Sequence, residues 1–174
     1  MPARKVSRRE IVAAARAILE TDGPDALTMR ALGERLGIRA PSLYHHFPDK
    51  ASVELALIAT GLLEQALTFE AAVSSAPGEP LRALATAYRA YARRHPHLYR
   101  LITERPLPRE RLPEGLEARA VAPVVVAAGG DPDRARAVRA FAHGMVVLEL
   151  TGRFPPDADL DPAWRAGIAA LARR

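Results

Sequence analysis

The sequence predicts an all-α chain of about nine helices, and three observations carry that expectation. Apolar residues recur every three to four positions along most of its length. No stretch sustains the strict apolar–polar alternation of a strand. Ser, Thr and Asp stand ahead of the periodic segments and Gly or Pro follows them, as caps and stops of helices do.

The first helix opens on Ser7-Arg8-Arg9-Glu10, a capping box in which Ser7 and Glu10 satisfy each other's free backbone N–H groups. Its apolar stripe is Ile11, Ala14, Ala15, Ile18 and Leu19, and Gly23-Pro24 ends it. Thr28 caps the second helix, with Leu27 and Leu32 placed as a hydrophobic staple and Gly37 as the stop after Leu36. Ile38-Arg39-Ala40 connects tightly to a short third helix, which has Pro41 in its first turn and ends before Pro48. Asp49 caps a longer fourth helix over about 50–72, closed by Ser74-Ser75-Ala76-Pro77-Gly78. Helices over about 80–94 and 96–103 follow, then a Pro-rich loop from 105 to 113, then a helix over 114–128 with Pro123 as an expected kink. Asp131-Pro132 is an N-cap and first-turn pair opening a long helix to about Thr151, and Asp161-Pro162 opens the last one. The expected boundary falls in the fourth helix near residue 50. Domains 1–50 and 51–174 then share an element.

With 174 residues, 49% of them hydrophobic, the chain can bury a core as one or two domains without a disulfide or a metal. The absence of cysteine excludes a disulfide framework, a thiolate zinc site, an iron–sulfur cluster and a cysteine nucleophile. Unbroken apolar runs such as Val121–Ala128 fall far short of the ~18 residues of a membrane span, and no apolar segment follows Met1-Pro2-Ala3-Arg4-Lys5. The expectation is a soluble, cytoplasmic protein with no membrane partner. Five His and several carboxylates are present, yet no nucleophile elbow, phosphate loop or paired metal motif, so an enzyme is not expected. His45-His46 and His95-Pro96-His97 have no matching carboxylate cluster, and neither metal nor other cofactor is expected. The formal charge is +5, and residues 1–50 hold nine basic and six acidic side chains. Arg4, Lys5, Arg8 and Arg9 form a short basic arm able to approach phosphate.

Residues 28–47 make two short helices joined by a three- to four-residue turn containing Gly, the helix-turn-helix pattern whose second helix lies in a major groove. At about 100° per residue, Leu43 and Phe47 fall together and face the core. Pro41, Ser42 and His45 then point away, where base edges would be. Tyr44 and His46 project to the flanks, at the height of phosphates, and Lys50 adds a cation at the rim. Thr28 offers a hydroxyl and the free N–H groups of a helix start to an anion. Taken singly, these are ordinary surface side chains, and Tyr44 alone reads as packing. The cap, glycine turn, proline and outward hydrogen-bonders together point to DNA.

Leu27-Thr28-Met29-Arg30 and Leu43-Tyr44-His45-His46-Phe47-Pro48-Asp49-Lys50 resemble the signature of TetR/AcrR (tetracycline-repressor-like) transcriptional regulators, over about residues 7–55. The resemblance implies DNA contacts at Thr28, Arg30, Pro41, Tyr44, His46 and Lys50. It places operator choice on Arg39, Ala40, Ser42 and His45. Ala40 can offer an apolar contact, as to a thymine methyl. Arg39 is the candidate for bidentate guanine readout, with phosphate attraction as an equal alternative. Phe141-Ala142-His143-Gly144-Met145-Val146-Val147-Leu148-Glu149-Leu150 is similar to the Trp-His-Gly type of effector domain in this family, with Phe141 in the place of Trp.

A mid-helix glycine such as Gly144 costs ~1 kcal/mol relative to Ala and points to close approach of another helix or a ligand. Tyr88, Tyr91, Leu98, Tyr99, Ile102, Phe141, Met145 and Leu148 put apolar and amphipathic groups on consecutive helices, as a small-molecule pocket needs, although each singly could as well fill the core. With few formal charges on those faces, the expected effector is neutral or weakly polar. One recognition helix reads only a half-site, so a homodimer on a palindromic operator of double-stranded DNA is expected. The resemblance places the dimer interface on the last two helices. The expected protein is a repressor released by a small molecule; the rival is a sequence-independent architectural DNA-binding protein.

Overall fold

Residues 6–173 are described by the structure, a computed structural model. Among them the chain runs α1 (Arg8–Asp22), α2 (Met29–Leu36), α3 (Ala40–His46), α4 (Lys50–Ser75), α5 (Pro80–Arg94), α6 (Pro96–Thr103), α7 (Leu116–Ala127), α8 (Pro132–Leu150) and α9 (Asp161–Ala172), with a 3-10 turn at Arg109–Arg111. No described residue lies in a strand, and the all-helical expectation holds. Arg4 and Lys5 of the basic arm lie outside the described residues, as does the side chain of Ala40.

Local chemistry sets most boundaries. The capping box on α1 is formed: the Ser7 N–H donates to the Glu10 carboxylate at 2.8 Å and Ser7 Oγ accepts from the Glu10 N–H at 3.2 Å. Asp49 Oδ1 accepts from the Ser52 N–H at 2.7 Å and starts α4. That helix continues to Ser75, three residues past expectation, because Val73 is buried and no residue before Pro77 breaks it. Asp131 accepts the N–H groups of Arg134 and Asp133 at 3.1 and 2.9 Å, and these bonds hold its carboxyl below the usual carboxylate range. Helix α7 runs through Pro123, which is buried.

The start of α9 departs from expectation. Its N-cap is Leu160, not Asp161. The Asp161 carboxylate is taken by Arg89 Nη1 at 2.6 Å, while its N–H donates to Asp159 Oδ1 at 3.0 Å. A guanidinium brings a full positive charge to the carboxylate, whereas backbone N–H groups at a helix start offer only partial charges.

The chain forms two compact units. The first reaches to Gly61 and adds His95–Pro113; the second takes Leu62–Arg94 and the chain from Glu114 onward. Helix α4 belongs to both. It is long and apolar enough, by length and composition, to cross a membrane, with a mean hydropathy of 1.3 over its best window. Counting unbroken runs understated it, since Glu54 and Glu64 interrupt a helix that is otherwise mostly apolar. Its Val53, Leu57, Leu62, Ala66 and Phe69 are buried in the protein.

In the first unit α1 packs on α2 and α6, and α2 on α3. Ile11, Leu19, Leu27, Leu32, Leu43 and Phe47 are essentially inaccessible, each contributing roughly 1.5–3 kcal/mol by burial. Leu98 and Ile102 of α6 occupy the space a Cβ on Gly61 would need, so α6 crosses α4 closely there. In the second unit α8 packs on α9 and α5 on α7, α8 and α9. Glu149 accepts from Trp164 Nε1 at 2.6 Å and from Arg89 at 3.0 Å, tying α5, α8 and α9. Burial alone would lower the pKa of Arg89, but its bonds to Asp161 and Glu149 raise it above the ordinary arginine value. The Phe141 ring lies where any side chain on Gly167 would go, so α8 meets α9 closely at that glycine. Gly144 makes no such approach within this chain: it is exposed, with nothing within 4 Å of an added Cβ.

Candidate nucleic-acid interface

The turn between α2 and α3 is built by hydrogen bonds its sequence prescribes. Gly37 takes φ 65 and ψ 32, its N–H donates to the Glu34 carbonyl at 3.2 Å, and the Ile38 N–H donates to the Gly33 carbonyl at 3.0 Å. Such a double bond across a left-handed glycine closes the helix and turns the chain sharply. A Cβ on Gly33 would sit 3.2 Å from the Ile38 carbonyl oxygen, so both glycines serve the turn. Helix α3 follows at once, its first turn closed by the Ser42 N–H on the Arg39 carbonyl at 3.0 Å.

Helix α3 divides as its spacing predicts. Leu43 and Phe47 are 0% exposed, whereas Tyr44 is 48% exposed. Arg39, Pro41, Ser42 and His45 are exposed and His46 is half-buried. Tyr44 thus presents about half of its surface to solvent, unlike its neighbour Leu43. Thr28 Oγ1 accepts from the Ala31 N–H at 3.0 Å. That bond uses a lone pair, leaving the hydroxyl proton to donate to an anion.

Two expected contacts are already engaged within the protein. Arg30 Nε is 2.8 Å from Glu34 Oε1, a hydrogen bond and charge that raise the arginine pKa. Lys50 Nζ donates to the Pro24 carbonyl at 3.1 Å and lies 3.6 Å from Glu54, which Arg105 also approaches at 3.3 Å. Both cations remain solvent-facing, and an exposed ion pair of this kind is worth little enough to be exchanged for a phosphate.

Arg8, read from the sequence as part of the basic arm, has a different place. Its Nη1 donates to the His46 carbonyl at 2.8 Å, and its guanidinium lies 4.0 Å over the Phe47 ring. It satisfies the end of α3 and pins that helix to α1. Arg8→Ala is therefore expected to speed hydrogen exchange of the amides at 43–47 about fivefold, as for the loss of ~1 kcal/mol. Arg9→Ala should leave them unchanged; equal effects of the two would deny Arg8 this role.

The Glu20 carboxylate was also missed. It accepts from the N–H groups of His97 and Leu98 at 3.3 and 3.2 Å and so caps α6 from α1. Arg16 is 3.5 Å from the same carboxylate and His95 Nδ1 is 3.9 Å away.

The eight expected effector residues divide between the units. Leu98, Tyr99 and Ile102 are buried in the first. In the second, Phe69 stacks on Tyr88 with centroids 5.4 Å apart and meets Tyr91 edge-on at 6.3 Å, while the Tyr91 hydroxyl donates to Glu64 at 3.3 Å. Phe141 meets Trp164 edge-on at 5.6 Å, Met145 is half-buried and Leu148 is 40% exposed. Gln65, a buried polar side chain on α4, escaped the sequence reading because it stands in an apolar helix without a motif. A groove of about 980 Å³ in the second unit, between α5 and α9, is lined by none of the eight.

Comparison with known proteins agrees with this anatomy. Residues 11–57 match the family described as bacterial regulatory proteins, tetR family, and residues 81–171 match the one described as tetracyclin repressor-like, C-terminal domain. The chain is 33% identical to an uncharacterized HTH-type transcriptional regulator of Mycobacterium tuberculosis, across 97% of this chain and 81% of that protein. Among solved structures it is similar to a protein of unknown function from a Rhodococcus species, with a TM-score of 0.78 at 25% identity over 99% and 97% of the two chains. It is also similar to a TetR variant from Acinetobacter baumannii in complex with minocycline, with a TM-score of 0.65 at 28% identity over 97% and 95%.

Proposed function

The chain belongs to the TetR family of bacterial regulatory proteins, and from that premise we propose that it is a repressor of the genes beside its own palindromic operator, released when a small molecule binds its C-terminal domain. The family is one of DNA-binding transcription regulators, not of enzymes. In this reading residues 1–50 bind double-stranded DNA, residues 51–174 bind the effector and dimerise, and the protein works in the cytoplasm. The observation that carries it is the face of α3: two fully buried anchors and, opposite them, a bare row of Arg39, Pro41, Ser42, Tyr44 and His45.

Tyr44, His46, Thr28 and Lys50 are assigned to phosphates and set the depth and register of α3 in the groove. Arg39 and Ser42 are assigned to base edges, with His45 beside them. Two copies are needed, because one α3 covers only a half-site. The surface we assign to pairing is the exposed stripe of Ala137, Ala140 and Gly144 on α8, continued by Ala163, Ala166 and Ala170 on α9. Both sets recur at three and four residues, so each lies on one helix face, and their small side chains permit close packing of a second copy.

Release is a population shift. An effector that binds better to the state with its two copies of α3 wrongly spaced weakens operator binding by that differential affinity and no more. The minocycline complex of the Acinetobacter relative supports a small-molecule effector. Tyr88, Tyr91, Phe141, Met145 and Leu148 are the side chains of the second unit assigned to it, and α4, common to both units, is the element assigned to carry the change.

Binding to a palindrome from the chain's own upstream region, competed with random DNA, tests this reading. Preference for the palindrome is expected. Equal affinity for both, with a steep salt dependence, would instead establish the architectural alternative. Arg39→Ala is expected to relax base preference at one position of each half-site, by ~1–3 kcal/mol. Uniform weakening on all sequences would reassign Arg39 to phosphate attraction.

A further inference from the structure

The groove between α5 and α9 carries an excess of charge that the fold does not use. Five arginines line it, Arg82, Arg89, Arg93, Arg134 and Arg165, against two carboxylates, Glu79 and Asp161. Both carboxylates are engaged: Glu79 pairs with Arg82, and Asp161 with Arg89. Arg134 Nη2 donates to the Arg173 carbonyl at 3.3 Å. Arg93 and Arg165 have no hydrogen bond or ion pair among the described residues, and both are exposed. Like charges gathered on one concave surface repel one another, so this arrangement lowers in energy when an anion enters.

The floor is of the opposite character. Leu81, Ala85, Trp164 and Ile168 line the groove but are buried, and its exposed apolar surface comes from Val126, Ala169 and Ala172. Helix geometry separates this face from the tyrosines. Arg82, Arg89 and Arg93 recur at seven and four residues along one side of α5, roughly a quarter turn or more from Tyr88 and Tyr91. At about 980 Å³ the groove is at the upper end for a small-molecule site.

From this juxtaposition of a guanidinium rim and an apolar floor, we infer that the second unit has a ligand site for an anionic amphiphile: an oxyanion head gripped by Arg93 and Arg165, and an acyl-sized tail laid over Val126, Ala169 and Ala172. The head fits either a carboxylate or a phosphate monoester, since the planar guanidinium fork donates bidentately to both. A neutral molecule would leave the charge uncompensated. A short anion would leave the floor wet. The site is separate from the faces assigned above to a neutral effector.

Titration calorimetry on the full-length protein tests it directly, with dodecanoate, dodecyl phosphate, dodecanol and acetate as probes, each below its aggregation threshold. At least one long-chain anion is expected to bind about tenfold or more tightly than dodecanol and acetate. The tighter of the two anions identifies the head group. Changing Arg93→Gln and Arg165→Gln together is expected to weaken that anion about tenfold and leave dodecanol unaffected. Neither arginine holds another part of the protein, so folding is preserved, and Arg153→Gln, outside the groove, serves as the charge control. Equal binding of dodecanol and the anions, equal binding of acetate, or an unchanged affinity in the double variant would each overturn the site. Operator binding is measured separately with and without the anion. Failure there would count against regulation through this groove while the calorimetry still decides whether the site exists.

Discussion

A Gly144→Gln variant is expected to sediment as a monomer and to lose operator affinity by about two orders of magnitude or more, while keeping its helical circular dichroism. Gly144 is exposed on α8, its φ is not in the left-handed region, and an added Cβ meets nothing within 4 Å. Inside one chain the substitution is therefore free of collision, and replacing a mid-helix glycine favours the helix by up to ~1 kcal/mol. In the proposed dimer the same position faces its counterpart, where a long polar side chain prevents close packing. Once the copies separate, the second α3 no longer benefits from the effective concentration that tethering confers, typically a factor of about 10²–10⁴. The melting temperature of the parent should rise with protein concentration and that of the variant should not. A Gly144→Gln protein that remains dimeric would move the interface off this face, and Ala140→Arg, on the same stripe, gives an independent check.

What the sequence made legible was local. Ser7 with Glu10, Thr28, Gly37 and Asp131 each act on backbone groups within a few residues, so their type and spacing determine what they do. Leu43 and Phe47 follow from helical period alone, and with them the outward row that ends at His45. What stayed hidden was non-local. Arg8 finds the His46 carbonyl 38 residues away, and Glu20 caps a helix that begins 76 residues later in the chain. No pattern in either segment announces the other. Asp161 shows the cost of local reasoning in the opposite direction, since its position reads as a cap until Arg89, 72 residues distant, claims its carboxylate. Gly144 and Gly167 make the same point: both are mid-helix glycines, but only the second lies under a ring of its own chain. The match over residues 81–171 likewise establishes the C-terminal domain without singling out the Trp-His-Gly subtype that Phe141–Leu150 resembles.

Phe47 caps α3 three residues after Tyr44, and the alanine variants of the two are expected to fail in opposite ways. Phe47 is wholly buried beneath the Arg8 guanidinium, so Phe47→Ala should cost ~3–5 kcal/mol of stability and lower the melting temperature sharply. Tyr44 is about half exposed, and the change at a surface site stays within about 0.5 kcal/mol. The Tyr44→Ala protein should therefore melt almost as the parent does. Its operator affinity should nevertheless fall about tenfold to a hundredfold, because each of two half-sites loses a hydrogen bond worth ~1 kcal/mol and the ring that aims it. Tyr44→Phe separates hydroxyl from ring: if the phosphate bond carries the effect, phenylalanine should be nearly as weak as alanine. The salt dependence gives a second discrimination. A tyrosine hydroxyl releases no counterion, so the slope of affinity against salt should be unchanged in Tyr44→Ala, whereas Lys50→Gln should reduce it by about one unit per half-site. A Tyr44→Ala protein that loses stability in step with affinity would show the ring to be part of the core, and the exposed face of α3 would then have to be reassigned.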